Sequence, residues 1–369
     1  MNTPIQLVIN KIDARPPAFP KAWYSNLLVS LCILLLCSPV KAQNARTFTS
    51  VEEALKTPQL VEILDLTDQN LTALPPQIGI LQNLKELLAG GNHLQTLPDE
   101  FCRLKKLRIL YLPNNKISRL PELIGNLRSL REINLLNNEL ETLPISFGKL
   151  DSLISLELFG NNLLAFPKEL CSCLQLNELG LYFNALSDIP NCIGELQSLE
   201  KLSLNGNRIY RLPNGICSLT QLKELYLARN ELTILPECFS ELINLEKLEL
   251  DHNKLTRLPQ EFGNLNKIEI LQLEHNYISH FPNSLSRMYQ LKRAYLQHNM
   301  LTEIPADFIE LPQLQDLILS DNGIKKLPDN FTPGRSLMNI NLAFNPIVES
   351  ERIRIRKLAA RTKVEFHNK

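Results

Sequence analysis

From Val61 onward the chain repeats itself every 23 residues, and no repeat gains or loses a residue. The wording is Leu-x-x-Leu-x-Leu-x-x-Asn-x-Leu-x-x-Leu-Pro-x-x-Ile-x-x-Leu-x-x. Repeats begin at Val61, Leu84, Leu107, Leu130, Leu153, Leu176, Leu199, Leu222, Leu245, Ile268, Leu291 and Leu314, and a thirteenth that starts at Leu337 breaks off. A chain of 369 residues would ordinarily divide into two or three compact domains. The period predicts one elongated array instead, because a single unit cannot bury its own leucines and must stack on its neighbours.

Each part of the unit has a physical reading. Leu-x-x-Leu-x-Leu contains a short strand whose alternate side chains point inward. The ninth residue turns the chain, and its side-chain amide offers donors and an acceptor to backbone groups left unpaired at a buried corner. That position reads Gln69 and then Asn92, Asn115, Asn138, Asn161, Asn184, Asn207, Asn230, Asn253, Asn276, Asn299, Asn322 and Asn345, a structural Asn ladder. Proline follows the second Leu-type residue of every full repeat, as at Pro75, Pro98 and Pro121. It lacks an N–H and suits a convex return better than a sheet. This wording resembles the leucine-rich repeat (LRR) superfamily over almost all of residues 61–347. The resemblance implies an α/β fold, a right-handed LRR solenoid or horseshoe with a parallel concave sheet and short helical caps at both ends. It implies binding as the class of function. At about 4.8 Å per strand, thirteen strands would span roughly 60 Å.

The flanks differ in kind. Residues 1–42 read as a secretory signal peptide: Lys11, Arg15 and Lys21 precede the apolar run Leu27–Cys37, and Val40-Lys41-Ala42 supplies small residues before Gln43. The run falls short of the about 20 apolar residues of a spanning helix, so cleavage near Ala42 is expected, with an uncleaved membrane anchor as the alternative. Leu34-Leu35-Leu36 before Cys37 argues against lipidation. Residues 43–60 form an N-terminal capping segment, in which Thr47–Leu55 reads as a short helix with Ser50 and Glu53 at capping-box spacing and Pro58 as its stop. Residues 348–369 form a C-terminal cap, a helix over Glu349–Arg361 and a short strand over Lys363–Phe366. Neither end has the cysteine cluster of animal extracellular LRR proteins, and the layout is similar to secreted bacterial LRR proteins with 23-residue repeats.

Register places the second, third, fifth, seventh and eighth positions of each repeat on the concave face. The seventh column is apolar or aromatic from Pro113 to Tyr182, through Leu136 and Phe159, with Leu88, Tyr111 and Phe183 beside it. Contiguous exposed apolar surface and aromatic anchors mark interaction sites; the alternative is that the rings stack and protect the sheet. Tyr226 and Tyr295 continue the fifth column. Further along, Glu249, Asp251 and Glu274 form an acidic zone beside His252, His275 and His298, which occupy the eighth position of three successive repeats. The partner-binding set is therefore Leu88, Tyr111, Leu136, Phe159, Tyr182, Phe183, Tyr226, Glu249, Asp251, Glu274 and Tyr295. The histidines could hold a transition metal, but stacked, titrating rings beside the turn asparagines are the expectation, and no metal or cofactor is expected. Cys171 with Cys192 and Cys217 with Cys238 each join the nineteenth position of one repeat to the seventeenth of the next, facing out on the convex side. Disulfides are conceivable there, although the diagonal is expected to exceed the roughly 7 Å Cα limit.

Residues 43–369 carry 35 basic and 38 acidic side chains, a net charge of −3. There is no concentrated basic face of the kind nucleic acid requires. Arg352, Arg354, Arg356, Lys357, Arg361 and Lys363 read as the wet face of the capping helix. No Gly-x-Ser-x-Gly, glycine-rich phosphate loop or His-Glu-x-x-His is present. About 20 residues follow the last repeat, too few for the catalytic domain some LRR effectors carry. The sequence is read as a non-enzymatic exported protein that recognises a protein, or a surface glycan, through its concave face, touching membrane only through an uncleaved N-terminus. Two alternatives stand. Leu-Pro-x-x-Ile-x-x-Leu is also similar to intracellular Ras-pathway LRR scaffolds and to plant disease-resistance-type LRRs, and a structural cell-envelope component would carry the same repeats.

Overall fold

The computed structural model describes residues 46–367; the apolar leader and the expected cleavage point lie outside them. The described chain forms one sheet of fifteen parallel strands in unbroken sequence order. The strands of the repeats are three residues long and occupy the third to fifth positions, as in β3 (Glu86–Leu88) and β4 (Ile109–Tyr111). Each residue pairs with the one 23 later, Glu86 with Ile109 and Leu87 with Leu110. The return on the opposite side is a short 3₁₀ helix in most coils, for example Asp99–Arg103 and Asn214–Ser218. The proline before it is extended, with φ −68° at Pro98 and −74° at Pro213. Its fixed φ thus sets the chain direction just before the helical turn, where its missing N–H costs nothing.

The interior repeats the period. Leu202, Leu204, Ile209, Ile216, Leu219 and Leu222 are fully buried, and so are their equivalents in neighbouring coils. Phenylalanines thicken one interior column: Phe101, Phe147, Phe239, Phe262, Phe308 and Phe331 are all buried at the same repeat position. Phe239 and Phe262, in successive coils, stack with centroids 6.3 Å apart. Cys173 replaces a leucine in the interior and is buried as a free thiol, which burial pushes up to about 12.

The ninth-position amides join the coils. Asn207 donates through Nδ2 to the Leu181 carbonyl of the preceding coil at 3.0 Å and to the Leu204 carbonyl of its own at 2.9 Å, and its Oδ1 accepts the Leu186 N–H at 3.0 Å. Asn115 makes the same three contacts with Ala89, Leu112 and Leu94. In the first coil Gln69 reaches back instead, donating to the Thr49 carbonyl of the cap at 2.8 Å.

At the N-terminal edge Thr47–Phe48 is a strand, β1, paired in parallel with β2 (Ile63–Asp65). The helix α1 is shorter than the sequence suggests, Val51–Lys56, with Ser50 accepting the Glu53 N–H. The open sheet edge captures residues that would otherwise have joined the helix. At the other end α3 (Glu349–Leu358) precedes β15 (Lys363–Glu365), which pairs with β14 (Asn339–Asn341); α2 is the single turn Ala306–Ile309. The basic string on α3 is not simply a wet face. Arg354 donates to the Leu327 carbonyl at 2.8 Å and pairs with Glu351 at 2.7 Å, and Arg352 donates to the Ile347 carbonyl at 2.9 Å. Those two arginines clamp the cap to the last coils.

Both cysteine pairs are bridged, contrary to the distance expectation. Cys171–Cys192 and Cys217–Cys238 have Cα separations of 5.7 and 5.8 Å. The diagonal is short because these residues lie on 3₁₀ turns, where two residues rise only about 4 Å rather than about 6.6 Å as on a strand. Nor do Cys171 and Cys217 face out: both are buried against the interior.

The ladder yields a direct test. Asn207→Ala strands the Leu186 N–H, at about 1–3 kcal/mol for the unsatisfied group, and takes one of two amide donors from each of the Leu181 and Leu204 carbonyls, which keep Asn184 and Asn230. Because coils touch only their neighbours, thermal unfolding should shift down and hydrogen-exchange protection should fall first in the coils starting at Leu176 and Leu199. Unchanged exchange there would show that the amide does not hold the join.

Candidate binding face

Beyond each strand the chain turns through the eighth position, and there all thirteen coils adopt the left-handed conformation. The φ values run from 51° at Phe183 to 67° at Gly91. Asn, Asp, His and Gly tolerate this region best, and they fill ten of the thirteen places: Asp68, Gly91, Asn114, Asn137, Gly160, Gly206, His252, His275, His298 and Asp321. This backbone demand accounts for the histidine row. The rings stack, with centroids 4.2 Å apart from His252 to His275 and again to His298. Among the described residues no cluster of His, Cys, Asp or Glu is arranged to hold a metal ion. Phe183, Arg229 and Phe344 are the exceptions in this column, bulky side chains in a conformation that disfavours them.

The aromatic residues draw together around Phe183. Phe159 and Tyr182 have ring centroids 4.4 Å apart, and Phe159 and Phe183 meet edge-on at 5.4 Å. All three are half-buried rather than fully exposed, as are Leu88, Tyr111 and Leu136 along the same face. Burial pushes the phenols of Tyr111 and Tyr182 up. Two glycines make room for these side chains. A Cβ on Gly206 would stand 2.8 Å from the Phe183 ring, and one on Gly180 would stand 2.3 Å from the Glu157 carboxylate. Glu157 accepts the Phe159 N–H at 2.9 Å, and burial pushes its carboxyl up to about 7. Sequence reasoning missed Glu157; the glycine one coil further in the same column was the available signal.

The acidic zone is equally desolvated. Burial first, then its carboxylate neighbours, raise Glu249 and Glu274 to about 7. Asn205, which the sequence did not single out, donates to Glu249 at 2.8 Å, and Tyr226 donates to Glu224 at 2.8 Å. Asp251 is only 3% exposed and meets His252 Nδ1 at 2.9 Å. Burial and the flanking imidazoles hold His275 down at about 4. Tyr295 lies half-buried in the same sheet, outside both groups.

A family model described as leucine-rich repeat region matches residues 59–159 and 165–253, and a second, leucine rich repeat, matches 243–301. The chain belongs to the leucine-rich repeat family. Among solved structures, this LRR solenoid is similar to an LRR protein of Leptospira interrogans, with 31% identity over 87% of this chain and 100% of that one and a TM-score of 0.66. It is similar also to the plant peptide hormone receptor RGFR1 in complex with RGF2, with 27% identity over 84% of this chain and 52% of that one and a TM-score of 0.71. An internalin of Listeria monocytogenes, 21% identical over 85% of this chain and 89% of its own with a TM-score of 0.58, shares the fold. No curated protein sequence matches.

The raised carboxyls give this LRR solenoid an unusual response to pH. Glu157, Glu249 and Glu274 hold their protons more tightly folded than unfolded. Their stabilising contribution is therefore complete below the unfolded value of 4.5 and lost as pH rises through about 7. His275, lowered from 6.5 to about 4, acts in the opposite sense but only below 6.5. Ion-paired carboxylates such as Glu62, Glu200 and Glu351 are lowered and cost stability only on further acidification. The thermal midpoint should fall as pH is raised from about 5 to about 8; a midpoint that rises over that range would contradict the burial of these carboxyls.

Proposed function

We propose that this LRR solenoid is an exported, non-enzymatic binding protein that takes a protein partner on its concave face, with the Phe159–Tyr182–Phe183 cluster as the anchor. The observation that carries the reading is Phe183. A phenylalanine at φ 51° is strained where ten other coils use Asn, Asp, His or Gly, and backbone strain is retained where a side chain has work to do. Its ring lies over Gly206 and against Phe159, half-buried on the open side of the sheet. Half-buried aromatic rings with desolvated surroundings are the type of residue that dominates interface energetics. The similarity to a plant peptide hormone receptor solved in complex with RGF2 supports a proteinaceous ligand. Leu88, Tyr111 and Leu136 extend the apolar face toward the N-terminal coils, and the carboxylates extend it toward the C-terminal ones. Two disulfides and the leader read as a signal peptide support an oxidising, extracytoplasmic destination.

Three measurements address this. Capture from cell-surface and host-type extracts by immobilised protein should be lost in Phe159→Ala with Tyr182→Ala, since an aromatic anchor is worth about 2 kcal/mol or more, about thirtyfold in affinity. Glu249→Ala with Glu274→Ala is the matched control; if that pair alone abolishes capture, the site lies in the acidic zone. Phe183→Gly separates binding from folding, because glycine meets the φ at no steric cost: the variant should bind less while unfolding no earlier than wild type, and wild-type capture by it would remove Phe183 from the anchor. For export, N-terminal sequencing of the mature protein should begin at Gln43 or within a few residues; a soluble cytosolic protein beginning at Met1 would favour the intracellular scaffold.

A further inference from the structure

Three buried oxygens line up on successive coils of the acidic zone without a hydrogen-bond donor: Asp251 Oδ1, Glu274 Oε2 and Gln297 Oε1. They belong to one column, the seventh. The His252 N–H donates to the Glu274 carbonyl at 2.9 Å and the His275 N–H to the Gln297 carbonyl at 3.1 Å, which sets the three residues on adjacent rungs. The other Asp251 oxygen is already engaged by His252 Nδ1. Two carboxylates with buried, unpartnered oxygens on adjacent rungs are costly twice over, through desolvation and through the charge that Asp251 puts on Glu274. One hydrogen placed between them removes both costs.

We propose that Asp251 and Glu274 share one proton across their two coils, so that this strip of the concave face is a proton-binding site that carries one negative charge where the sequence counts two. Glu274 bears the proton on Oε2 and donates it to Asp251 Oδ1. On deprotonation the Oε2–H bond breaks, the proton leaves to water, and both carboxylates are ionised in adjoining rungs.

The surrounding charges favour the shared state. On the coil before, Glu224 is occupied by Lys247, Lys201 and the Tyr226 hydroxyl. Glu249, on the same strand side as Asp251, accepts from Asn205 and adds a third carboxyl that disfavours a second charge. Arg229 stands one rung earlier in the eighth column, and its charge bears on His275 together with those of His252 and His298. His298 faces Asp321 at 3.7 Å. Burial first, then the flanking imidazoles and Arg229, keep the middle ring, His275, neutral until well into the acid range, so it does not supply the missing donor. The one neutral rival is the Gln297 amide: turned over, its Nε2 would serve Glu274 and leave Asp251 Oδ1 alone.

The test is a pH titration of the Asp251 and Glu274 side-chain carboxyl carbons by NMR in the full chain, in wild type, Glu274→Gln and Asp251→Asn. In the wild type the two carbons should respond together in two steps, one in the ordinary carboxylate range and one near neutrality, as coupled sites do. In Asp251→Asn the Glu274 carbon should respond in a single step that lies lower than its wild-type one, since the neighbouring charge is gone while the burial remains. In Glu274→Gln, whose amide supplies the hydrogen permanently, the fall of the thermal midpoint between mildly acidic and mildly alkaline solution should shrink. If both wild-type carbons titrate independently in the ordinary range, the donor is Gln297 or absent and the shared proton is refuted. If Glu274→Gln does not fold, the wild-type and Asp251→Asn titrations still decide the matter.

Discussion

Everything in this molecule hangs on one amide used twice. The ninth-position asparagine closes the corner of its own coil with one N–H and reaches the coil before it with the other, while its oxygen takes a backbone N–H from that same neighbour. No other uncharged side chain of that length brings two donors and an acceptor to one buried point. The contact fixes the register from one coil to the next at this corner, and the period of 23 holds without slippage from Val61 to Leu337.

A fixed register has a second effect, felt one residue earlier. The eighth position is held in the left-handed region in every coil, so the concave face is lined by a column whose side chains are chosen first for backbone tolerance. Histidine enters under that rule, and three of them in a row stack because the rungs are close. Variation on this face is therefore cheap in the fifth and seventh columns and expensive in the eighth. Phe183 stands out on those grounds, as does the carboxylate strip of Asp251 and Glu274, whose burial comes from packing between rungs only about 5 Å apart.

Most of the fold could be read from the leucine, asparagine and proline columns, because those residues answer to the coil's own geometry and to its immediate neighbours. What escaped depended on details the pattern does not encode. The 3₁₀ form of the return was invisible, and with it the short diagonal that lets Cys171 reach Cys192 and Cys217 reach Cys238. The pairing of Thr47 and Phe48 with the first full strand escaped because an open edge overrides weak helical preference. On the candidate site, register placed Phe159, Tyr182 and Phe183 on one face, but not their mutual stacking and half-burial. The strain at Phe183 depends on φ, which the letters do not state, whereas the cradling of Glu157 left a trace in its own column, the glycine one coil further on at Gly180.

The two disulfides have a mechanical meaning. Each closes a loop of 21 residues between neighbouring coils, one behind the Phe159–Tyr182–Phe183 cluster and the other two coils further on. A stacked solenoid pulled from its ends behaves as a spring that peels turn by turn, and each unravelled stretch of that length would release roughly 70 Å of chain. With the bridges in place those two stretches cannot pay out. The middle of the spring is thus stiff where the aromatic cluster sits, and tension applied to a molecule tethered between two surfaces is taken up by the unbridged turns toward either end.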